Sequence, residues 1–384
     1  MGEKYYRDTW VEVDLDAIAH NVQVFRTHLP QQTQIMAVVK ADGYGHGAVP
    51  VAREALAAGA SYLGVALLDE GIELREAGIT APILVLGYTA HEFAAEAISQ
   101  NITLTAFHPE VIHAMQREAD RLEKQAKVHL KLDTGMGRIG VRTKEELDLL
   151  MQAIEQSPRV EAEGVFTHFA CADEEDPSYT ENQHHTFRKA IESYSFPFVH
   201  CSNSAGGILY PNWGYNMMRL GISLYGQYPS SFTKDKGIDL KEAFSLKSKI
   251  SHLKEVPAGT SISYGATYTT TTESIIASVP IGYADGFSRS LSNKGNALVK
   301  GNRVPIVGRV CMDQLMLDVS TVADARIGDE VVLMGQQHQE RIPVDEVADQ
   351  LQTINYEVTC MISKRVPRVY LRDGITVMTK NFLL

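Results

Sequence analysis

Positive charge and long apolar segments are scarce in this sequence of 384 residues. It has 36 Lys and Arg residues against 47 Asp and Glu residues, and the formal net charge is −11. A chain of this charge repels phosphate backbones, so we predict that it does not bind nucleic acid. No segment approaches the roughly 20 apolar residues of a membrane-spanning helix, and the N-terminal residues lack the apolar stretch of a secretory signal. We therefore predict a cytoplasmic protein without a membrane partner.

Cysteine is scarce as well, and none of the four cysteines forms the CxxC pair that is typical of zinc sites and redox centres. We interpret them as single buried thiols in a reducing compartment, and we predict neither a disulfide framework nor a metal site. They are Cys171, Cys201, Cys311 and Cys360.

Short apolar runs alternate with longer amphipathic stretches from Gln34 onward. The alternation predicts eight strands between Ile35 and Gly226 with helices between them, and such alternation implies a parallel sheet. Eight units of this kind are typical of a closed (β/α)8 barrel, an α/β fold of about 250 residues. A doubly wound open sheet is the alternative that the pattern leaves open.

The length exceeds the usual size of one hydrophobic core, so we expect two domains. After about Asp239 the helical periodicity fades, and short strands joined by Gly, Pro and Asp turns follow. We predict a barrel domain over residues 12–239 and a mainly β domain over residues 240–384. A further strand near the N-terminus, within residues 1–11, is a candidate member of the β domain.

Polar and cationic residues gather where the predicted barrel strands end, and in a β/α barrel these ends form the active site. Caps and solvated loops account for Thr, Ser and Asn at such positions, but not for two lysines, two arginines and two histidines at one mouth. The residues are Lys40, Lys131, Asp133, Arg138, Thr167, His168, His200, Asn203, Ser204 and Arg219.

Lys40 stands between an apolar run and a glycine-rich turn in "AVVKADGYGHG". One interpretation is a lysine whose charged end reaches solvent at the end of a strand. The other is a Schiff-base lysine, whose amine becomes nucleophilic when it is desolvated or close to other cations. Barrels often bind phosphate after strands seven and eight, where Ser204 and the turn at Gly221 and Ile222 lie. A Schiff-base lysine opposite a phosphate site predicts pyridoxal phosphate as the cofactor.

Seven stretches resemble one family: "AVVKADGYGHG", "LKLDTGMGRIG", "HCSNSAG", "MMRLGISLYG", "SYGATY", "GRVCMDQ" and "INYEV". They are similar to the alanine racemases, the fold type III pyridoxal-phosphate enzymes, and the resemblance covers the whole chain. It implies a barrel domain followed by a β domain, in a head-to-tail homodimer whose subunits share the active site. It also implies a two-base interconversion of L-alanine and D-alanine through a cofactor aldimine, which supplies D-alanine for peptidoglycan.

The resemblance further implies a role for individual residues. Lys40 resembles the lysine that holds the cofactor, and Tyr264 resembles the second catalytic base, which the other subunit supplies. His168 is similar to the histidine that orients this tyrosine, and Arg219 to the arginine that faces the pyridine nitrogen.

Other positions resemble residues that bind the cofactor or the substrate. Arg138 and Met312 are expected beside the substrate carboxylate, with Met312 coming from the partner chain. Tyr283 and Arg309 match the corridor through which substrate enters. Lys131 matches a lysine that is carbamylated in many members, and its alternative is an ordinary lysine paired with Asp133. Cofactor contacts are expected from Tyr44, Arg138, Asn203, Ser204, Gly221, Ile222 and Tyr356.

These residue types suit racemisation, which removes the Cα proton from one face of the substrate and returns a proton to the other. Two groups on opposite faces can do this, whereas a single group would have to cross the plane of the cofactor. Tyr264 has a reference pKa of about 10, and a hydrogen bond from His168 near Arg219 would favour its phenolate. Arg219 only donates hydrogen bonds, so it favours an unprotonated ring nitrogen and restrains transamination. This last point is a hypothesis.

Other enzyme classes share parts of this pattern. Pyridoxal-phosphate decarboxylases of basic amino acids normally have a carboxylate at the pyridine nitrogen, so Arg219 and "SYGATY" argue against them. A cofactor-binding protein made only of the barrel would lack the β segment. Broad-specificity racemases are exported, and this chain shows no signal peptide. The sequence leaves open the preference between alanine and serine, and the choice between wall synthesis and D-alanine breakdown.

Overall fold

The computed structural model describes residues 4–384 and divides the chain into two compact units. The barrel unit consists of Ala17–Gly43 and Ala48–Glu242. The β unit consists of the segment that ends at Asp16, of Tyr44–Gly47 and of Ala243–Leu384.

The strands are numbered in chain order. They are β1 Thr9–Asp14, β2 Gln34–Val38, β3 Tyr62–Val65, β4 Ile83–Val85, β5 Thr103–Ala106, β6 Ala126–Lys131, β7 Val160–Phe166, β8 Phe198–His200, β9 Met217–Leu220, β10 Phe244–Lys249, β11 His252–Val256, β12 Ser261–Ile262, β13 Tyr268–Thr269, β14 Ser274–Val279, β15 Asn296–Val299, β16 Asn302–Pro305, β17 Leu315–Asp318, β18 Glu330–Gln337, β19 Glu340–Ile342, β20 Arg368–Arg372 and β21 Ile375–Lys380. The α-helices are Leu15–His28, Ala48–Ala57, Leu68–Glu76, Ala94–Ser99, Pro109–Leu122, Lys144–Glu155, Ser178–Ile191, Ser204–Leu209, Ser231–Lys234, Val344–Leu351 and Asn355–Met361.

The barrel unit contains one sheet of eight strands in the order β8-β7-β6-β5-β4-β3-β2-β9, and all its neighbours are parallel. The sheet is nearly closed, because the backbone N–H of Arg219 on β9 donates to the carbonyl of Ser202, just after β8, at 3.1 Å. The prediction of an eight-stranded α/β barrel is confirmed, and the open doubly wound alternative is wrong.

Local sequence explains these elements. β3 and β4 are short runs buried at every position, as expected for strands covered on both faces. The helix Pro109–Leu122 begins with proline and ends where Glu123 takes the left-handed conformation. The helix Lys144–Glu155 begins with a capping box between Thr143 and Glu146.

Large side chains fill part of the barrel interior. Five strands contribute one residue each to a cluster with no more than 1% exposure: Met36, Tyr62, Leu84, Phe166 and Met217. Burying an apolar side chain of this size stabilises the fold by about 1.5–3 kcal/mol. The strands are therefore held rigidly, and so are the polar groups that follow them.

The β unit is built on a sheet in the order β16-β15-β18-β10-β1-β20-β21, and β19 pairs with β18. The N-terminal strand β1 lies in this sheet, antiparallel to β10 and parallel to β20. A second sheet has the order β11-β14-β17, and β12 pairs with β13. The helix Asn355–Met361 and the strand β21 were not predicted.

The structure also describes the cysteines and the apolar character of the helices. All four cysteines are free thiols, but only Cys201 is buried, and Cys360 is exposed, so the prediction of buried thiols is wrong there. Across residues 4–384, none of the helices has the length and apolar character needed to cross a membrane.

Candidate active site

Lys40 opens a turn with left-handed backbone just beyond β2. The next three residues, Ala41, Asp42 and Gly43, have φ angles of 52°, 52° and 60°. This conformation costs a residue other than glycine roughly 1–2 kcal/mol. The Asp42 carboxylate supports the turn by accepting from the backbone N–H of Ala48 at 3.0 Å. Strained backbone held directly after a lysine at a barrel mouth points to a functional site.

Arg219, on β9, is 3% exposed, and its guanidinium donates to five acceptors that belong to four residues. Nη1 donates to Nδ1 of His200 at 2.7 Å and to the carbonyl of the same residue at 3.3 Å. Nη2 donates to the carbonyls of Thr167 and Cys201 at 2.8 and 2.9 Å, and to Nδ1 of His168 at 3.2 Å. The fifth donor of the guanidinium, Nε–H, has no acceptor among residues 4–384.

The charge of Arg219 is not matched by a nearby carboxylate, since no Asp or Glu of the described chain forms an ion pair with it. Burial lowers the pKa of Arg219 to about 10, so the side chain remains a cation at neutral pH. Its Cζ lies 5.4 Å from the centre of the Phe166 ring, and Nζ of Lys131 lies 5.0 Å from the same ring. The aromatic face therefore contacts two cations of the mouth.

Lys131 is buried among positive charges, with 5% of its surface exposed. Burial and the neighbouring cations Arg138, Arg219 and Lys40 lower the pKa of Lys131 to about 7. The amine is therefore neutral in a large fraction of molecules at neutral pH. Lys131 therefore lies within electrostatic reach of Lys40, Arg138 and Arg219.

The loop after β6 does not pair Lys131 with a carboxylate. The Asp133 carboxylate instead accepts from the backbone N–H groups of Gly135 and Gly137, at 3.1 and 2.9 Å. No ion pair joins Lys131 to Asp133 among the described residues, but the charge of Asp133 still acts on the amine, and an ordinary lysine remains the alternative to a carbamylated one. Arg138 follows in the same loop with an exposed side chain.

His168 lies just after β7 and is oriented by Arg219. Because an arginine only donates, Nδ1 of His168 is the acceptor and its proton is on Nε2. Burial, followed by the charge of Arg219, lowers the pKa of His168 well below its usual value. His168 is therefore a neutral imidazole with one directed donor.

The loops after β8 and β9 contain four of the residues expected to bind the cofactor. The side chain of Asn203 caps the short helix that follows it by accepting a backbone N–H at 2.9 Å. The Ser204 hydroxyl oxygen accepts from the backbone N–H groups of Gly221 and Ser223, at 3.1 and 3.3 Å. The N–H of Gly221 therefore already forms a hydrogen bond within the chain. The Ser204 hydroxyl acts as an acceptor in both bonds, so its own proton is available for donation. Ile222, the next residue, is 1% exposed.

Tyr44 and Tyr356 lie close together in the β unit, with ring centroids 6.2 Å apart. Tyr44 is 7% exposed, and Tyr356 lies on the helix Asn355–Met361. Gly45 makes this approach possible, because a Cβ there would lie 2.3 Å from the carbonyl oxygen of Thr359. The two tyrosines therefore belong to one packed cluster of side chains.

Tyr264 lies on a tight turn, within a stretch whose β-branched and aromatic residues favour a strand. The turn Tyr264–Ala266 separates β12 from β13, and Ser263 and Ala266 have positive φ. The Tyr264 side chain is 72% exposed. A large aromatic side chain held outward on a tight turn suits contact with another molecule.

Three other predicted residues of the β unit lie on segments that are linked to this turn by hydrogen bonds. The hydroxyl of Ser263 donates to the carbonyl of Arg309 at 2.8 Å. Further along, the N–H of Tyr283 donates to the carbonyl of Cys311 at 3.0 Å, and Met312 follows with 53% exposure. The structure therefore places Tyr264, Tyr283, Arg309 and Met312 on neighbouring segments of the β unit.

The sequence reasoning missed two polar residues inside the barrel, His129 and Glu163. Both are buried, at 0% and 5% exposure. Their positions within strands could have indicated them. A charged or imidazole side chain in a strand that is buried on both faces needs a hydrogen-bond partner on a neighbouring strand. His200, which the sequence placed at the mouth without a role, is that partner for His129, at 2.9 Å.

Comparison with known proteins agrees with this arrangement. Residues 13–229 match the family model described as "Alanine racemase, N-terminal domain", and residues 243–370 match "Alanine racemase, C-terminal domain". The chain is 51% identical to alanine racemase 2 of Oceanobacillus iheyensis over 387 aligned positions, which cover 100% of this chain and 98% of that protein. It is 50% identical to the alanine racemase of Halalkalibacterium halodurans, with 100% of both chains covered.

Solved structures give the same result. A crystal structure of alanine racemase from Bacillus anthracis superposes with a TM-score of 0.94 at 44% identity, covering 99% of each chain.

Proposed function

The chain belongs to the alanine racemase family of isomerases, and from this premise we propose that Lys40 and Tyr264 of a second copy of the chain interconvert L-alanine and D-alanine. Racemisation removes the proton on Cα from one face and returns a proton to the other. An amine and a phenol on opposite faces can each accept and donate that proton.

We propose pyridoxal phosphate as the cofactor, and the residues of the mouth fit this group. The unpaired Nε–H of Arg219 suits a ring nitrogen that accepts a hydrogen bond. Lys40 supplies the amine for covalent attachment. When bound, the cofactor withdraws electrons from Cα of the amino acid and makes its proton removable.

The phosphate of the cofactor is proposed to bind Ser204, whose O–H is available to donate. Asn203 and the backbone of Gly221 and Ile222 would shape this end of the site. Tyr44 and Tyr356 are proposed as further phosphate partners, as the family resemblance implies.

His168 links the two halves of the mechanism. Arg219 holds its Nδ1 as an acceptor, so Nε2–H is free to donate to a phenolate. We propose that this phenolate is Tyr264 of the second copy of the chain in a homodimer. A donated hydrogen bond stabilises a phenolate relative to the neutral phenol, which is the role proposed for His168.

The substrate carboxylate is proposed to bind the exposed guanidinium of Arg138 and the backbone N–H of Met312 from the second copy. Tyr283 and Arg309 are proposed to line the corridor through which substrate enters the site. We propose that the barrel unit is the domain that binds the cofactor. The cytoplasmic location stays a prediction.

The observation that carries this function is the buried Arg219 with one unpaired donor, because a decarboxylase of basic amino acids would place a carboxylate there. We expect the purified protein with added cofactor to convert L-alanine to D-alanine, measured by chiral chromatography. Serine is the comparison substrate. A cofactor-loaded protein that forms no D-alanine would contradict the proposal.

We expect Lys131 to be carbamylated. Its pKa of about 7 leaves neutral amine available to add to CO2, and loss of a proton then gives a carbamate anion that relieves repulsion from Arg138. Carbon-13 NMR of the protein equilibrated with labelled bicarbonate should show one carbamate resonance that is absent in Lys131→Gln. Lys127→Gln, on the same strand, serves as the control and should keep the resonance. An unlabelled Lys131 in wild-type protein would contradict the prediction.

A further inference from the structure

A chain of hydrogen bonds crosses the barrel interior from Glu163 on β7 to Arg219 on β9. Oε2 of Glu163 lies 3.4 Å from Nε2 of His129. Nδ1 of His129 lies 2.9 Å from Nε2 of His200, and Nδ1 of His200 lies 2.7 Å from Nη1 of Arg219. Both histidines have 0% exposure. We call Glu163, His129 and His200 the relay residues.

Glu163 is built into the barrel as an anion. Its Oε1 accepts from Nζ of Lys127 at 2.6 Å, and its Oε2 accepts from the hydroxyl of Tyr62 at 2.8 Å. Burial alone would raise the pKa of Glu163, but the hydrogen bonds from His129, Lys127 and Tyr62 outweigh burial and lower it to about 2. The far end of the relay is therefore a permanent acceptor at neutral pH.

The backbone makes room for the relay. A register shift between β6 and β7 leaves Glu163 opposite no residue of β6, as in a β-bulge. Gly164 follows, and a Cβ there would lie 2.6 Å from the ring of His129. The ring of Phe166 stacks on His200 with centroids 4.8 Å apart and planes 4° apart. Both imidazoles are thus fixed in orientation as well as in position.

The chemistry of the two ends fixes every proton between them. Arg219 only donates, so Nδ1 of His200 accepts and its proton is on Nε2. That proton is donated to Nδ1 of His129, whose own proton is then on Nε2 and is donated to the Glu163 carboxylate. Only this set of tautomers, with both imidazoles neutral, makes all three bonds.

We propose that Glu163 is a positioning residue for racemisation, which acts through His129 and His200 to hold the Arg219 guanidinium with its Nε–H turned to the cofactor. This inference rests on the proposed function. Without an acceptor at Glu163, either tautomer of His129 is permitted, and the guanidinium loses one of the acceptors that orient it. Arg219 would then tilt within the mouth.

The first test is nitrogen-15 NMR of histidine-labelled holoenzyme at neutral pH. Resonances are assigned by His129→Gln and His200→Gln. We expect both residues to be neutral and protonated on Nε2. A charged imidazole, or a proton on Nδ1 of either residue, would overturn the proposal. This measurement does not require turnover or a Glu163 variant. Its result therefore does not depend on whether the protein is a racemase or on whether such a variant folds.

The second test uses three variants in the racemisation assay. Glu163→Leu removes the acceptor, and kcat should fall on the order of 100-fold with KM little changed, because a catalytic group is misplaced but no substrate contact is lost. Glu163→Asp should recover most of the rate, since it retains the carboxylate. Lys127→Met removes another partner of Glu163 and should leave both the rate and the tautomers unchanged. A Glu163→Leu enzyme within threefold of wild type, or one that Glu163→Asp does not exceed, would overturn the proposal.

Discussion

Replacing Lys40 by alanine should reduce racemisation by at least about 10⁴-fold, the upper range for loss of one acid–base group, because the same amine also anchors the cofactor. The residual rate is measured as D-alanine formed from L-alanine by chiral chromatography, with excess cofactor present. The left-handed turn after Lys40 should survive, since its hydrogen bond from Ala48 to Asp42 does not involve the lysine side chain.

A covalent readout separates anchoring from proton transfer. Borohydride reduction of the wild-type holoenzyme should attach the cofactor to the tryptic peptide that contains Lys40, as seen by mass spectrometry. Lys144→Ala is the matched control, because Lys144 is an exposed lysine of the barrel unit that pairs with Asp148 at 2.8 Å. Attachment at another lysine, or a Lys40→Ala enzyme within tenfold of wild type, would contradict the assignment.

The eight barrel strands could be predicted because strands buried on both faces are read directly from apolar runs bounded by turn residues. The predicted ends were less accurate. The first barrel strand was expected to end at Lys40, but β2 ends at Val38, and the residues beyond it form the left-handed turn. No periodicity signals a turn of this kind, since only Gly43 among its residues favours positive φ.

Tyr264 shows where strand propensity misleads. The stretch "SISYGATYTT" is rich in β-branched and aromatic residues, and the pattern predicts a strand with a half-buried tyrosine. In the structure β12 and β13 have two residues each, and the tyrosine stands on the turn between them. Only the family resemblance marked this residue, because strand propensity in one sequence does not indicate which exposed aromatic side chains have a role.

The relay residues could not be predicted from the sequence, for a different reason. His129 and Glu163 are 34 positions apart, and their contact depends on a one-residue register shift between β6 and β7. Such a shift moves a side chain to the other face of the sheet. A pattern of alternating faces therefore gives no reason to expect Glu163 next to an imidazole.

The mouth of the barrel also differs in charge from the rest of the protein. The net charge is −11, yet Lys40, Lys131, Arg138 and Arg219 gather there without a carboxylate paired to Lys131 or Arg219. Like charges brought together and buried are costly unless an anion joins them. The phosphate of the cofactor, the carboxylate of the substrate and a carbamate on Lys131 are three anions that would offset this cost.

Mixing two inactive variants should restore activity. Tyr264→Phe removes the second base and should lower the rate by about 10²–10⁴-fold, with no loss of fold because the side chain is 72% exposed. If each site takes Lys40 from one protomer and Tyr264 from its partner, a mixed dimer of Lys40→Ala and Tyr264→Phe contains one intact site. Random reassociation makes half of the dimers mixed, so about a quarter of the wild-type rate should return.

The control for this mixing experiment is Lys40→Ala combined with the double variant Lys40→Ala, Tyr264→Phe. No site in that mixture contains both groups, so no activity should return. Native mass spectrometry with one protomer isotopically labelled measures how many mixed dimers form. Mixed dimers without recovered activity would mean that Lys40 and Tyr264 serve within one chain, and the shared-site proposal would be wrong. Recovery in the first mixture alone would place the two bases on different protomers, and would explain why a tyrosine exposed on one chain is a catalytic group in the assembled enzyme.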